Sequence, residues 1–473
     1  MANINQFLFK NVPIYPLVTF RMVLGFLMFV STLRFIYLGW IEDHYINSKF
    51  QFKFYGFEWV QLLPPFWMYA LHGLMLLASL FVLLGFLYRW SSILLFLTFT
   101  YLELIDLTYY LNHYYFISLA CLLMIFLPAN RNLSLDAWWQ PSIKTNQARA
   151  WHINILKFQI FVVYFYAGIA KINSDWLVNA LPLKIWLPAN DKVPLLGWLF
   201  VQDWAPYVFS WGGMFYDTFI IFFLLNARTR PIAYIFVLVF HAIVGILFQI
   251  GVFPVVMMGI TLIFFSEKWH LQWQRALQSF LRKGAEFLRL NLFKKKAING
   301  DLNKGKLTED TGLEEASMIS KPALWGFHYI LLTIYVLFQL VFPIRYVLYP
   351  GNLFWTEEGY RFSWRVMLME KAGTATFYIK DAKTGRVGIV NNSEFLNLHQ
   401  EKQMAFQPDM ILQFAHFLGN YYESQGMHNP EVRVEAFVTL NARPGRLLID
   451  PERDLMKIEE SWVHKDWIIP FKD

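Results

Sequence analysis

The chain has 473 residues, of which 56% are hydrophobic, 19% aromatic and only 16% charged. So little charge excludes an ordinary soluble protein, and the net charge of +7 lies in loops between apolar runs, which excludes a nucleic-acid binder. Cys121 is the only cysteine, so no intrachain disulfide and no cysteine-based metal site is possible.

Met1 to Pro16 lacks a short apolar core followed by a small-residue cleavage site, so the first apolar run is expected to remain as a membrane span. Runs long enough to cross a bilayer fall at 16–41, 66–87, 91–110, 113–128, 151–172, 207–226, 231–249, 251–266 and 323–346, giving about nine spans. The stretch 231–266 is split because it is too long for one span and carries Gly251 and Pro254. With this count Arg89, then Arg131, Lys144 and Arg149, then Arg228 and Arg230 share one side with the basic segment 267–321. Positive loops stay cytoplasmic, so the N-terminus is expected inside and everything after the last span outside.

Residues 267–296 alternate apolar and basic side chains, as in a helix lying along a membrane surface. Residues 297–321 read as a polar linker. Beyond about residue 347 the pattern changes to short alternating stretches at Thr376–Lys380, Arg386–Val390 and Arg433–Leu440, with one helix over 408–423. The expected architecture is therefore a polytopic α-helical membrane protein with a C-terminal, mainly β soluble domain on the outer face. Its divisions are a helical bundle over 1–266, a cytoplasmic segment over 267–322, a ninth helix over 323–346 and the outer domain over 347–473.

Several polar groups interrupt the apolar runs, and ionisable groups inside spans default to function. Lys171 ends the fifth run, Asn112 and His113 lie at the turn before the fourth, and Asp217 and His241 sit inside the sixth and seventh. Each also has a structural reading. Lys171 at a helix end suits snorkelling, Asn112 suits a helix cap, His241 suits a bond to a backbone carbonyl, and Glu103 and Asp106 suit pairing with Arg21 or Arg34. Phosphate-loop, serine-hydrolase and zinc-protease motifs are all missing, and no metal is expected.

The stretch Gln159 to Trp176, which ends Tyr164-Phe165-Tyr166-Ala167-Gly168-Ile169-Ala170-Lys171-Ile172-Asn173-Ser174-Asp175-Trp176, closely resembles the vitamin K-dependent γ-glutamyl carboxylases. So do Asn112-His113, Phe240-His241 and the run Leu247 to Phe253. In the outer part the resemblance continues through Trp355-Thr356, Tyr360, Ser363-Trp364, Met367, Asn441, Arg443 and Asp450-Pro451. It implies an enzyme in which a lysine deprotonates vitamin K hydroquinone, oxygen adds, and the resulting alkoxide takes the γ-proton of a peptide glutamate. The carbanion then captures CO2, giving γ-carboxyglutamate and vitamin K epoxide.

Carried over, Lys171 is the hydroquinone base, His113 with Asn112 positions the quinone anion, and His241 assists. Tyr360, Trp364 and Trp355 match the glutamate-binding region, with Arg443 and Lys371 as carboxylate partners. The implied cofactor is vitamin K hydroquinone or menaquinol, with O2 and CO2 as co-substrates. The implied partners are a glutamate-containing protein, the lipid bilayer and a quinone-reducing enzyme. Animal members carry two adjacent lysines where Ala170 precedes Lys171 here, and an aspartate where Arg365 stands. These departures keep open an epoxidase with a weak or different acceptor; a non-enzymatic transporter or lipid-binding scaffold is the third reading.

Overall fold

The computed structural model describes residues 8–248, 250–293 and 325–472. A short antiparallel pair, β1 (Asn11–Pro13) with β2 (Gln147–Arg149), clasps the start of the chain to the start of the lysine-bearing helix. Between them run α1 (Tyr15–Tyr37), α2 (Pro65–Leu84), α3 (Tyr88–Ile105) and α4 (Asn112–Phe126). After β2 come α5 (Ala150–Ala170), α6 (Ala205–Leu225), α7 (Arg230–Leu247) and α8 (Phe253–Ile260). The helix α9 (Glu267–Phe293) follows, and α10 (Trp325–Val341) leads to the last domain.

Among the described residues, six helical stretches are long and apolar enough to cross a membrane: α1, α2, α5, α6, α7 and Ile330–Leu348. The other three expected spans are helical but different in kind. In α3 the apolar residues are diluted by Arg89, Ser91, Ser92 and Glu103, while α4 has only 15 residues and α8 only 8. At about 1.5 Å per residue, α4 and α8 are too short to cross alone.

Close backbone approach packs the bundle. Gly25 of α1 lies so near α2 that a Cβ there would sit 2.5 Å from the Leu83 amide nitrogen. Arg21 is fully buried, but its guanidinium donates to the carbonyls of Ala129 and Leu133. It pairs with neither Glu103 nor Asp106. Arg34 lies over the Trp40 ring. Asp106 instead caps the turn at Thr108 and accepts from Gln400 of the last domain. Of the segment expected over 267–296, Glu267–Phe293 is helical as α9, which docks on α1 through His270 to Thr19 and Gln274 to the Tyr15 carbonyl. The expected linker at 297–321 lies outside the described residues.

The last domain holds a four-stranded antiparallel sheet in the order β4 (Val387–Ile389), β3 (Lys371–Lys380), β5 (Glu431–Leu440), β6 (Arg446–Leu447). In β5 alternate residues Val432, Val434, Ala436, Val438 and Leu440 are buried, as a half-covered sheet requires. The covering layer is helical: α11 (Leu398–Met404) and α12 (Pro408–Ser424). The domain is thus mixed α and β rather than mainly β. Its core also contains Phe52, Phe54 and Leu107 from the bundle. Reciprocal hydrogen bonds between the Lys53 backbone and the Gln413 side chain seal this junction.

Candidate active site

Lys171 is the C-cap residue of α5 and is 5% exposed. Its Nζ does not snorkel. It donates to Asp217 Oδ2 at 2.7 Å and to the Ala167 carbonyl at 3.2 Å. Asp217 comes from the middle of α6, which approaches α5 closely at Gly168: a Cβ there would lie 2.3 Å from Thr218 Oγ1 and 2.5 Å from the Thr218 nitrogen.

The residues after Lys171 fix the pair from above. Asn173 Oδ1 accepts from the Trp176 amide, turning the chain into a short helix over Ser174–Leu177. Trp176 donates its indole N–H to the Ser210 carbonyl, and its ring lies 5.4 Å from Nζ. Asp175 is held by both guanidinium nitrogens of Arg443, at 2.7 and 2.8 Å, and by Asn441 at 2.8 Å. The hydrogen bonds from Arg443, the largest influence, hold the Asp175 carboxyl below its usual range.

Lys171 and Asp217 face a cavity of about 490 Å³, lined by Tyr164, Trp176, Tyr216, His241 and Phe253 among others. Val208, Phe236 and Val239 line it too and are largely exposed on the outside of the bundle, so the chamber opens sideways. His241 Nδ1 bonds to the Val237 carbonyl at 2.9 Å, which is its structural reading, while Nε2 lies 3.4 Å from the Tyr164 hydroxyl at the chamber wall.

A second, more polar cavity of about 230 Å³ adjoins the first, and the two share Phe253, Val366 and Met367. It is lined by Asn112, His113, Glu357, Tyr360, Arg361 and Arg365. Asn112 does not cap α4. Its side chain donates to the Arg365 carbonyl at 2.7 Å and so ties the bundle to the outer loop. His113 Nε2 is buried without a hydrogen-bond partner, and its ring lies 5.3 Å from that of Phe253. The rings of His241 and Phe253 are 5.9 Å apart, so both imidazoles neighbour the shared wall. Burial pushes the Tyr360 hydroxyl up, keeping it a proton-bearing donor. A third space, a cleft of about 570 Å³ between α3, α4 and the outer domain, shares Leu107, Tyr110, Glu357 and Arg361 with the polar cavity.

Lys171, His241, Asn112, His113 and Tyr360 therefore gather around two joined chambers. Four expected residues lie elsewhere. Trp364 is fully buried and stacks on Tyr115 at 4.9 Å. Trp355 lies in the outer core and donates to the Ile469 carbonyl. Lys371 pairs with Glu357 at 2.8 Å, and Arg443 is committed to Asp175. The residues that composition alone left unassigned are Asp217 as the partner of Lys171, Tyr164, Phe253, and the arginines at 361 and 365. An aspartate within an apolar run was the one visible signal among them.

The fold and this site define a polytopic membrane protein with a buried, laterally open chamber beside a C-terminal domain. A model of the HTTM domain matches residues 9–269, more than half of the chain, and the vitamin K-dependent gamma-carboxylase lumenal domain matches residues 326–473. The chain belongs to the vitamin K-dependent gamma-glutamyl carboxylase family. Membership points to a membrane carboxylase whose C-terminal part is extracytoplasmic and whose substrate is a glutamate-containing protein. No solved structure matches the chain. Among the described residues, no cluster of metal-ligating side chains occurs.

Proposed function

We propose that this protein carboxylates glutamate in an exported protein, using vitamin K hydroquinone or menaquinol, with Lys171 as the base that activates the hydroquinone. One observation carries the reading: an apolar chamber holding one buried lysine–aspartate pair shares a wall with a polar chamber reached from the outer cleft. The apolar chamber fits a bicyclic aromatic ring with one of its two hydroxyls turned to the amine, and its side opening suits a lipid tail. When bound, the hydroquinone together with O2 supplies a base strong enough to remove the γ-proton of glutamate, and CO2 is added to that carbon.

The protein's own contribution is to move one proton and exclude water. Before uptake, an amine at Lys171 and a carboxylate at Asp217 leave one uncompensated negative charge in a dry site, and a proton taken up by the amine answers that charge. After uptake the two form the ion pair at 2.7 Å. Trp176, Tyr164 and Phe253 keep water from the amine. His241 bears on the same chamber, while His113 and Asn112 border it from the polar side. The topology we favour has nine spans, the three shorter or more polar helices crossing in company with their neighbours, and a cytoplasmic N-terminus.

The test is one reaction in nanodiscs containing vitamin K hydroquinone, oxygen, labelled bicarbonate and a short glutamate peptide. Peptide-bound label and vitamin K epoxide are expected together, and Lys171→Ala is expected to lose both at neutral pH. Epoxide without label would replace the carboxylase by an epoxidase, and full activity of Lys171→Ala would remove Lys171 as base.

A further inference from the structure

Four lysine and arginine side chains are buried among the described residues: Arg21, Lys171, Arg365 and Lys371. Three are compensated. Arg21 is ringed by carbonyls, Lys171 has Asp217, and Lys371 has Glu357. Arg365 is 7% exposed, and among the described residues its guanidinium meets no carboxylate and no carbonyl, its one side-chain hydrogen bond being with Tyr346. Its Nε is buried without a partner, and its charge rests on the Tyr346 ring at 4.1 Å. A buried charge without a counter-charge is costly to keep in a folded protein. Burial accordingly pushes the Arg365 guanidinium below its ordinary range.

The position of this cation gives it a use. Arg365 lines the polar chamber, and the next two residues, Val366 and Met367, form the wall shared with the lysine chamber. The other charges facing the polar chamber are already matched, Arg361 by Asp409 and Glu357 by Lys371. The chamber therefore carries one unanswered positive charge, with the Tyr360 hydroxyl in the same lining.

We propose that Arg365 is the specificity residue of the outer site, receiving the side-chain carboxylate of the acceptor glutamate. Arg443 does not take this role, because Asp175 already occupies its fork. The chemistry is a two-pronged, charge-assisted pair that forms only with an ionised carboxylate. Holding the carboxylate at Arg365 sets the adjacent γ-carbon toward the Val366–Met367 wall, behind which the proton is to be taken. This inference rests on the carboxylation reading for its substrate, but the anion site can be read without turnover.

The experiment uses the full chain in nanodiscs. Binding of a short glutamate peptide is competed with its glutamine counterpart in the absence of oxygen, and carboxylation kinetics are measured separately. The wild type is expected to prefer the glutamate peptide by about 50-fold or more, the order expected of one charge-assisted pair. Arg365→Gln is expected to lose that preference, with the larger part of the kinetic effect in KM. Arg365→Lys, which retains the charge but loses the fork, is expected to fall between and decides the matter if the glutamine variant does not fold. Label in the wild type with undiminished preference in both variants overturns the role of Arg365 alone. Preferential binding that needs Arg365, without label in the wild type, overturns carboxylation and supports the anion site. No preference in the wild type overturns the proposal.

Discussion

Replacing Asp217 by Asn tests the chemistry of the lysine chamber most directly. The substitution keeps the size of the side chain and removes the charge that lies 2.7 Å from Lys171 Nζ, where both side chains are more than nine-tenths buried. Removing one partner of such a pair typically costs about 3–5 kcal/mol when the other stays charged. That penalty attaches only to an unpaired buried charge, and a neutral amine at Lys171 beside the amide leaves none. The fold then loses less, about 1.5–3 kcal/mol, the net value of a hydrogen bond to a charged group. The remaining loss falls on function, since the amine no longer gains an adjacent anion when it takes up a proton. A deficit of about 3 kcal/mol in that step corresponds to a rate lower by about 10²-fold. Epoxide formation at saturating hydroquinone, with the thermal midpoint measured alongside, separates the two effects. A folded Asp217→Asn protein with the wild-type rate would refute the assignment of the carboxylate as the source of basicity.

Two further outcomes are expected. Gly168→Ala should separate α5 from α6 and lower stability by about 1–3 kcal/mol; because the added Cβ meets the Thr218 backbone nitrogen as well as its hydroxyl, Thr218→Ala should not rescue it in a thermal unfolding assay. Asp175→Asn should weaken the tie to Arg443 and Asn441 and lower the thermal midpoint. Since Arg443 holds the folded-state carboxyl of Asp175 below its unfolded value, that tie stabilises fully above about pH 4 and is lost as pH falls through the lower folded value. The gap between wild type and Asp175→Asn in a pH series should therefore close on the acid side, and a constant gap would count against the tie.

The lysine stretch was legible because local chemistry decides it. The small residues Ala167 and Gly168 allow close approach to α6, Asn173 caps the next turn, and Trp176 returns over the lysine. The strands around β3 and β5 were legible from alternation, although β3 begins five residues earlier than Thr376, where Gly373 and Ala375 blur the pattern. Other features depend on contacts no periodicity encodes. Asp217 meets Lys171 across 46 positions, and Arg443 meets Asp175 across 268. From sequence, Arg443 therefore reads as a partner of the substrate carboxylate, while the chain itself supplies a carboxylate in Asp175. The helical layer over the sheet was underestimated because α11 is only seven residues long and begins at a capping box of Asn397 and Gln400.

The core shared by Phe52, Phe54 and Leu107 with the outer domain bears on how the chain is made. The domain around Gln413 is synthesised later than the side chains it closes over, and Gln413 completes its bonds on Lys53. The outer domain therefore has no finished hydrophobic interior until the bundle presents that surface. The N-terminal helices act as an assembly template for the C-terminal domain, and a fragment comprising the outer domain alone would emerge with an apolar wound where Phe52 belongs. Bundle and domain should accordingly melt together, in one transition.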